Sequence, residues 1–268
     1  MNKLIVPAVV VILLVAVYVI YQSGSEEVAA PVAMQVELPP QQEAPQEQVP
    51  PPVQFPVPEP QVQAEPVIPL PALDESDPSV VEEFNGLVDE AQFADLFLFQ
   101  AFIRNFVVIV DNLTADKLPQ KYLFFRPAAG VFMVKKPVSE TDSIQLDPQN
   151  YARYAAFVRL AESIDLDSMV NVYVYLYPLF QQAYAEMGYP DRYFNDRLIE
   201  VITHLLTTPE IQDPIVLVQP KVYYQFADPK LEALSAGQKM LIRIGTENSR
   251  IIKIKLQELL GKLKRLNQ

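Results

Sequence analysis

Apolar positions follow three different regimes along this chain. From Leu4 to Tyr21 the sequence LIVPAVVVILLVAVYVIY is apolar or aromatic at eighteen consecutive positions, with Pro7 near its start. At about 1.5 Å per residue such a helix approaches the ~30 Å hydrocarbon core of a bilayer, which predicts one membrane-spanning helix over residues 4–21. A cleaved secretory signal is the alternative, but its apolar stretch normally runs only ~7–15 residues and ends in small side chains. Here the exit is Val-Ile-Tyr-Gln-Ser-Gly, bulky where a signal peptidase needs small groups.

The second regime, residues 22–73, carries 13 prolines between Pro31 and Pro71, mixed with Gln, Glu, Val and Ala. Proline fixes φ and lacks an amide hydrogen, so this stretch neither pairs into a sheet nor continues a helix, and it favours extended polyproline II. At ~3.1 Å per residue its full extension is on the order of 150 Å. The seven glutamates from Glu26 to Glu65 repel one another along it. The expected element is a semi-rigid tether that holds a folded module off the membrane; a featureless linker, or a PxxP ligand for a partner, are the other uses of such a composition.

The third regime, residues 74–268, has apolar residues at helical spacing. Asp77-Pro78, Asp147-Pro148 and Asp228-Pro229 read as helix starts, with the aspartate as cap and the proline in the first turn. FADLFLFQAFIRNFVVIVDNL, 93–113, is apolar on nearly every side and predicts a helix buried in a bundle. Residues 165–188 predict a long helix, kinked at Pro178 and stopped by Gly188, and a further helix restarts near Pro190 or Asp191. VFMVKK, 131–136, predicts a short strand, and PIVLVQPKVYYQF, 214–226, predicts one or two short edge strands split by Pro220. From Thr246 a last helix places Ile252, Leu256, Leu259, Leu263 and Leu266 at alternating spacings of 4 and 3. The expected fold is mainly α: a short N-terminus at residues 1–3, a single span, a proline-rich tether, and one helical-bundle-like domain with at most a small β element.

Charge refines this picture. Between Lys3 and Arg104 there is no basic residue but 15 carboxylates; the rest of the chain then holds 20 Lys plus Arg against 33 − 15 = 18 Asp plus Glu. The folded domain is close to neutral, which removes the electrostatic case for a nucleic-acid partner. Lys3 on the near side of the span, with no Lys or Arg for eighty residues beyond it, predicts that residues 1–3 stay in the cytoplasm and the domain is exported.

Zero cysteines exclude disulfides, thiolate nucleophiles and zinc ribbons. Seven glycines never form a GxGxxG or GxxxxGK[ST] loop, and SAGQK at 235–239 has only the tail of one. No cofactor is expected.

The segments YPLFQQAYAEMGYPDRYFNDRLIEVITHLL, 177–206, and LVQPKVYYQFADPKLEALSAGQKMLIRIG, 217–245, together with VDNL at 110–113, resemble a family of Gram-negative bacteria known as domain of unknown function 3014. The resemblance covers most of residues 75–260. It implies an N-terminal membrane segment, a proline-rich stretch and this domain, in that order, and implies no activity, ligand or catalytic residue.

Four groups of residues carry candidate chemistry. Asp196, Glu200 and His204 fall at i, i+4 and i+8, one stripe of a helix, where they would ligate a divalent metal, use Glu200 to orient His204 as a base, or lie on a solvated or packed face. Asp191, Arg192, Asn195, Asp196 and Arg197 crowd one turn, as a polar patch for a glycan or peptide or as the cap of a helix N-terminus. Tyr173, Tyr177, Phe180 and Tyr184 share a helical face, for stacking on sugars or for core packing. Arg250, Lys253, Lys255, Lys262, Lys264 and Arg265 give the last helix a basic face. That face would bind anionic lipid, an acidic partner or the chain's own acidic first helix, or be merely solvated while the leucines complete the bundle.

The reading these features favour is a single-pass protein of the bacterial inner membrane, N-terminus in, domain in the periplasm. Residues 4–21 contact the lipid bilayer, and the domain is a non-enzymatic scaffold or binding module for an envelope protein or cell-wall polymer. The alternatives are a periplasmic cell-wall glycosidase using paired carboxylates, or a cytoplasmic adaptor with inverted topology.

Overall fold

A computed structural model describes residues 53–58, 70–87, 96–128, 130–139 and 143–266. The expected span at 4–21 and most of the tether lie outside these residues, and among the described helices none is long and apolar enough to cross a membrane. The domain is mainly helical with a small four-stranded sheet.

Helices α1 (Asp77–Leu87), α2 (Phe102–Asn112), α3 (Gln149–Ala152), α4 (Ala155–Ser163), α5 (Leu166–Glu186), α6 (Phe194–Leu206), α7 (Pro229–Glu232), α8 (Ala236–Arg243) and α9 (Thr246–Lys264) follow in chain order. Helix α2 lies against α5 and α6, and α9 lies across α6, α4, α5 and α8. Between them runs one core, in which Phe102, Phe106, Phe124, Phe180 and Phe194 are at most 4% exposed. The Phe106 ring makes edge contacts with Phe124, Phe180 and Phe194 at 5.7, 5.3 and 6.1 Å, the geometry that aromatic quadrupoles favour.

The sheet is antiparallel throughout, in the order β1 (Val134–Lys135), β2 (Ile144–Leu146), β3 (Val216–Val218), β4 (Gln225–Phe226). The two expected β-rich segments thus join one sheet, with Pro220 in the connection between β3 and β4 where no ladder amide is needed. Leu146, Ile215, Leu217, Phe226 and Ile242 form a second, smaller core under it.

Three expectations are corrected. Within the segment 93–113, predicted as one helix, the α-helix starts at Phe102 among the described residues, because Phe97 bridges antiparallel to Phe125: the Leu98 amide donates to the Phe124 carbonyl and the Arg126 amide to that of Leu96, both at 2.7 Å. Ala101 then turns with φ 48, and the Asp77 carboxylate accepts from the Ala101 and Phe102 amides at 2.7 and 2.9 Å. Asp77 was expected to cap its own helix; it caps the next one. The helix predicted from Asp147 is broken at Arg153 and Tyr154, since Asn150 is tied by 2.9 and 2.6 Å bonds to the Met133 amide and carbonyl beside β1 while Tyr154 turns into the core. Helix α5, by contrast, runs through Pro178 without interruption.

Burial also marks α1. Glu83 is half-buried, and this, followed by the charge of Glu82, pushes its carboxyl up to about 7. A carboxyl whose folded pKa lies above its unfolded one stabilises below the unfolded value of 4.5, and that contribution is lost as pH rises through about 7. Thermal unfolding of the wild type and Glu83→Gln should therefore coincide near pH 4 and diverge between pH 5 and 8, with the variant the more stable at the alkaline end. An offset independent of pH would contradict this.

Candidate functional site

The site is built at the N-terminus of α6. Gly188, with φ 115, and the turn after it reverse the chain from α5, and Tyr193 is extended, so the first amides of α6 lack a local cap. Gln181 on α5 supplies one: its Oε1 accepts from the Phe194 amide at 2.9 Å and its Nε2 donates to the Arg192 carbonyl at 2.8 Å. The capping role expected of Asp191, Asn195 and Asp196 is therefore filled from the neighbouring helix. Asp191 stays exposed in the preceding turn.

Freed from capping, Asn195 and Asp196 hold a segment of the tether. The Asp196 carboxylate accepts from the Gln54 amide at 3.0 Å and from the Phe55 amide at 2.7 Å. Asn195 Nδ2 donates to the Phe55 carbonyl at 2.8 Å, and Asn195 Oδ1 accepts from the buried Tyr173 hydroxyl at 3.0 Å. The fully buried amide is thereby fixed at both ends. Phe55 and Val57 pack against the main core, and Lys264 at the end of α9 stands 5.9 Å from the Phe55 ring centroid.

Beside this groove lies a cavity of about 370 Å³ lined by Gln54, Tyr184, Arg192, Tyr193, Asp196, Arg197 and Glu200. Its floor is rigid. The Arg197 guanidinium donates to Asp111 Oδ1, the Asp111 carbonyl and Thr114 Oγ1, each at 2.7 Å, and meets Glu200 at 3.0 Å. Burial, reinforced by the Asp111 carboxylate, pushes the Tyr184 phenol up to about 12, so it remains a neutral hydroxyl. Arg192 is exposed at the mouth, over the Tyr189 ring at 5.7 Å.

Of the seven residues in the predicted patch and stripe together, Arg192, Asp196, Arg197 and Glu200 thus meet at one cavity, and Asn195 lies buried beside them. The predicted stripe of Asp196, Glu200 and His204 does not converge on one ion. Asp196 faces the tether, Glu200 faces Arg197, and His204 Nε2 lies 2.9 Å from Ser235 Oγ at the start of α8. Among the described residues no cluster of three His, Asp or Glu is placed to hold a metal.

The aromatic stripe is divided in the same way. Tyr173 and Phe180 are buried, Tyr177 donates to Gln181, and Tyr184 alone of the four lines the cavity.

The basic helix turns its leucines inward: Ile252, Leu256, Leu259 and Leu263 are at most 1% exposed. Three of its six basic side chains find hydrogen-bonding or ionic partners within the chain. Arg250 pairs with Glu247 and Glu210, Lys253 donates to the Thr208 carbonyl at the end of α6, and Lys262 pairs with Asp167. Lys262 and Lys255 also help the Ser168 hydroxyl and amide hold the Asp165 carboxyl below its ordinary value. Arg265 folds back along Gly261.

Residues 102–260 match the family described as Protein of unknown function (DUF3014). The chain belongs to the DUF3014 family. No curated protein and no solved structure matches it. Within the DUF3014 match lie Tyr184, Arg192, Tyr193, Asn195, Asp196, Arg197 and Glu200, whereas the seated residues Gln54 and Phe55, and Lys264 above them, lie outside it. Sequence reasoning missed Gln54, Phe55 and Tyr193. The signal available for the tether was that Phe55 is its only aromatic residue between Tyr21 and Phe84.

Proposed function

We propose that this DUF3014 protein is a non-enzymatic binding module of the bacterial envelope. Residues 1–3 are cytoplasmic, 4–21 cross the inner membrane, and the proline-rich tether holds the domain in the periplasm against an envelope protein or cell-wall polymer. The observation that supports the binding role is the engagement of the site's carboxylates: Asp196 holds two main-chain amides and Glu200 is paired with Arg197. A glycosidase needs one carboxyl to donate a proton and a second to attack or activate water. Of the two that line this cavity, Asp196 is instead engaged by the tether amides and Glu200 by Arg197.

The test uses the full chain in its host, with a C-terminal alkaline phosphatase fusion and a photo-crosslinking residue at position 193. Active phosphatase and a light-dependent adduct with one envelope component are expected. Inactive phosphatase would overturn the placement. Release of soluble cell-wall fragments by the purified protein, abolished by Glu200→Gln, would overturn the binding role in favour of the enzyme.

A further inference from the structure

The tether segment sits in its groove by contacts that specify a class of ligand. One carboxylate receives two consecutive main-chain amides, those of Gln54 and Phe55, so neither position tolerates proline. The carbonyl of the second residue is read by Asn195, whose orientation the buried Tyr173 hydroxyl fixes. After that carbonyl comes Pro56, where the groove asks for no donor; proline there and at 58 restricts the backbone that leaves the bend. Two side chains are read, Phe55 through the core beneath it and Lys264 near its ring, and Val57 through the same core.

The chain bends at Gln54 and Phe55, which turns both amides toward the one carboxylate, and main-chain bonds to this bend, an apolar seat for the aromatic ring and a proline-tolerant exit are the marks of a peptide-recognition site. Within the tether, VQFP is the sole stretch that satisfies it, because Phe55 is the sole aromatic there.

We propose that the groove at the start of α6 recognises a polypeptide bent so that two consecutive free amides face one carboxylate, the second belonging to an aromatic residue followed by proline. Residues 53–58 fill it in cis, and the partner in trans is an envelope polypeptide carrying the same chemistry. This rests on the binding-module reading and names its partner class. A tethered ligand competes at an effective concentration on the order of millimolar, so the intact chain is largely closed to a trans peptide. Removing the cis ligand opens it.

The experiment titrates a fluorescent peptide of residues 49–60, VPPPVQFPVPEP, into full-length protein by anisotropy. Phe55→Ala should bind it at least tenfold more tightly than wild type. Gln54→Pro, which deletes one amide of the tether and leaves the domain untouched, should do the same. Adding Asn195→Ala to either variant should cost at least tenfold, as should alanine at the phenylalanine of the peptide. Equal binding by wild type and Gln54→Pro, or no binding by a variant that keeps the wild-type circular dichroism, overturns the proposal. A wild-type dimer in light scattering that Gln54→Pro converts to monomer would assign the segment to a second copy and overturn seating in cis. Should the peptide fail while crosslinking from position 193 still captures an envelope component, the ligand chemistry falls and the binding role stands. The reverse pair of results removes the trans partner alone.

Discussion

Phe106→Ala is expected to cost about 3–5 kcal/mol, the range for truncating a fully buried aromatic. Phe106 is at 0% exposure and its ring sits between Phe124 on one side and Phe180 and Phe194 on the other. No neighbour can fill the space by itself, because Phe180 and Phe194 are already stacked on each other at 5.8 Å. The cavity would open directly under the first residue of α6, so both stability and the placement of Asn195 and Asp196 should suffer. Thermal unfolding is the measurement. For a domain of this size each 1 kcal/mol is worth roughly 2–4 °C, so a fall on the order of 10 °C is expected. A shift of a degree or two would mean that the helices do not converge on this ring.

Gly245→Ala is expected to cost about 3–4 kcal/mol, for two independent reasons. The residue turns the chain from α8 into α9 with φ 89 and ψ 156, a region essentially confined to glycine, where another residue is strained by about 1–3 kcal/mol. A methyl group there would also lie 2.6–2.8 Å from three ring carbons of Tyr151. That ring cannot swing aside freely, since its hydroxyl donates to Asp213 at 2.7 Å. Overpacking of this kind adds ~1–3 kcal/mol. Urea unfolding should report the loss as a lower midpoint at unchanged slope. Wild-type stability in Gly245→Ala would show that the α8–α9 corner is loose.

The contrast between what was and was not legible in the sequence follows from these same contacts. Amphipathic stretches gave themselves away: the alternating 4 and 3 spacing from Ile252 to Leu266 lies within and just beyond α9, and the Asp228-Pro229 start holds, with the aspartate accepting from the Lys230 amide at 2.8 Å. Residues 96–101 misled because a segment apolar on every side carries no period, and because their path was set by Asp77 and Phe125, distant in sequence. At the site, the turn around Asp191 to Arg197 stood out by its crowd of polar groups. Their roles could not be read, since the cap came from Gln181 and the ligand from residues about 140 positions upstream. On the basic face of α9, the partners of Lys262, Arg250 and Lys253, namely Asp167, Glu210 and the Thr208 carbonyl, could not be read from the helix itself because they belong to other elements.

Hydrogen exchange of the Gln54 and Phe55 amides in the full-length protein tests the account most directly. Seated on Asp196, both should exchange at least tenfold more slowly than the same amides in the free 49–60 peptide, and Asp196→Ala should return them to the peptide's rate. Exchange at the free-peptide rate in the wild type would mean that the tether does not occupy the groove.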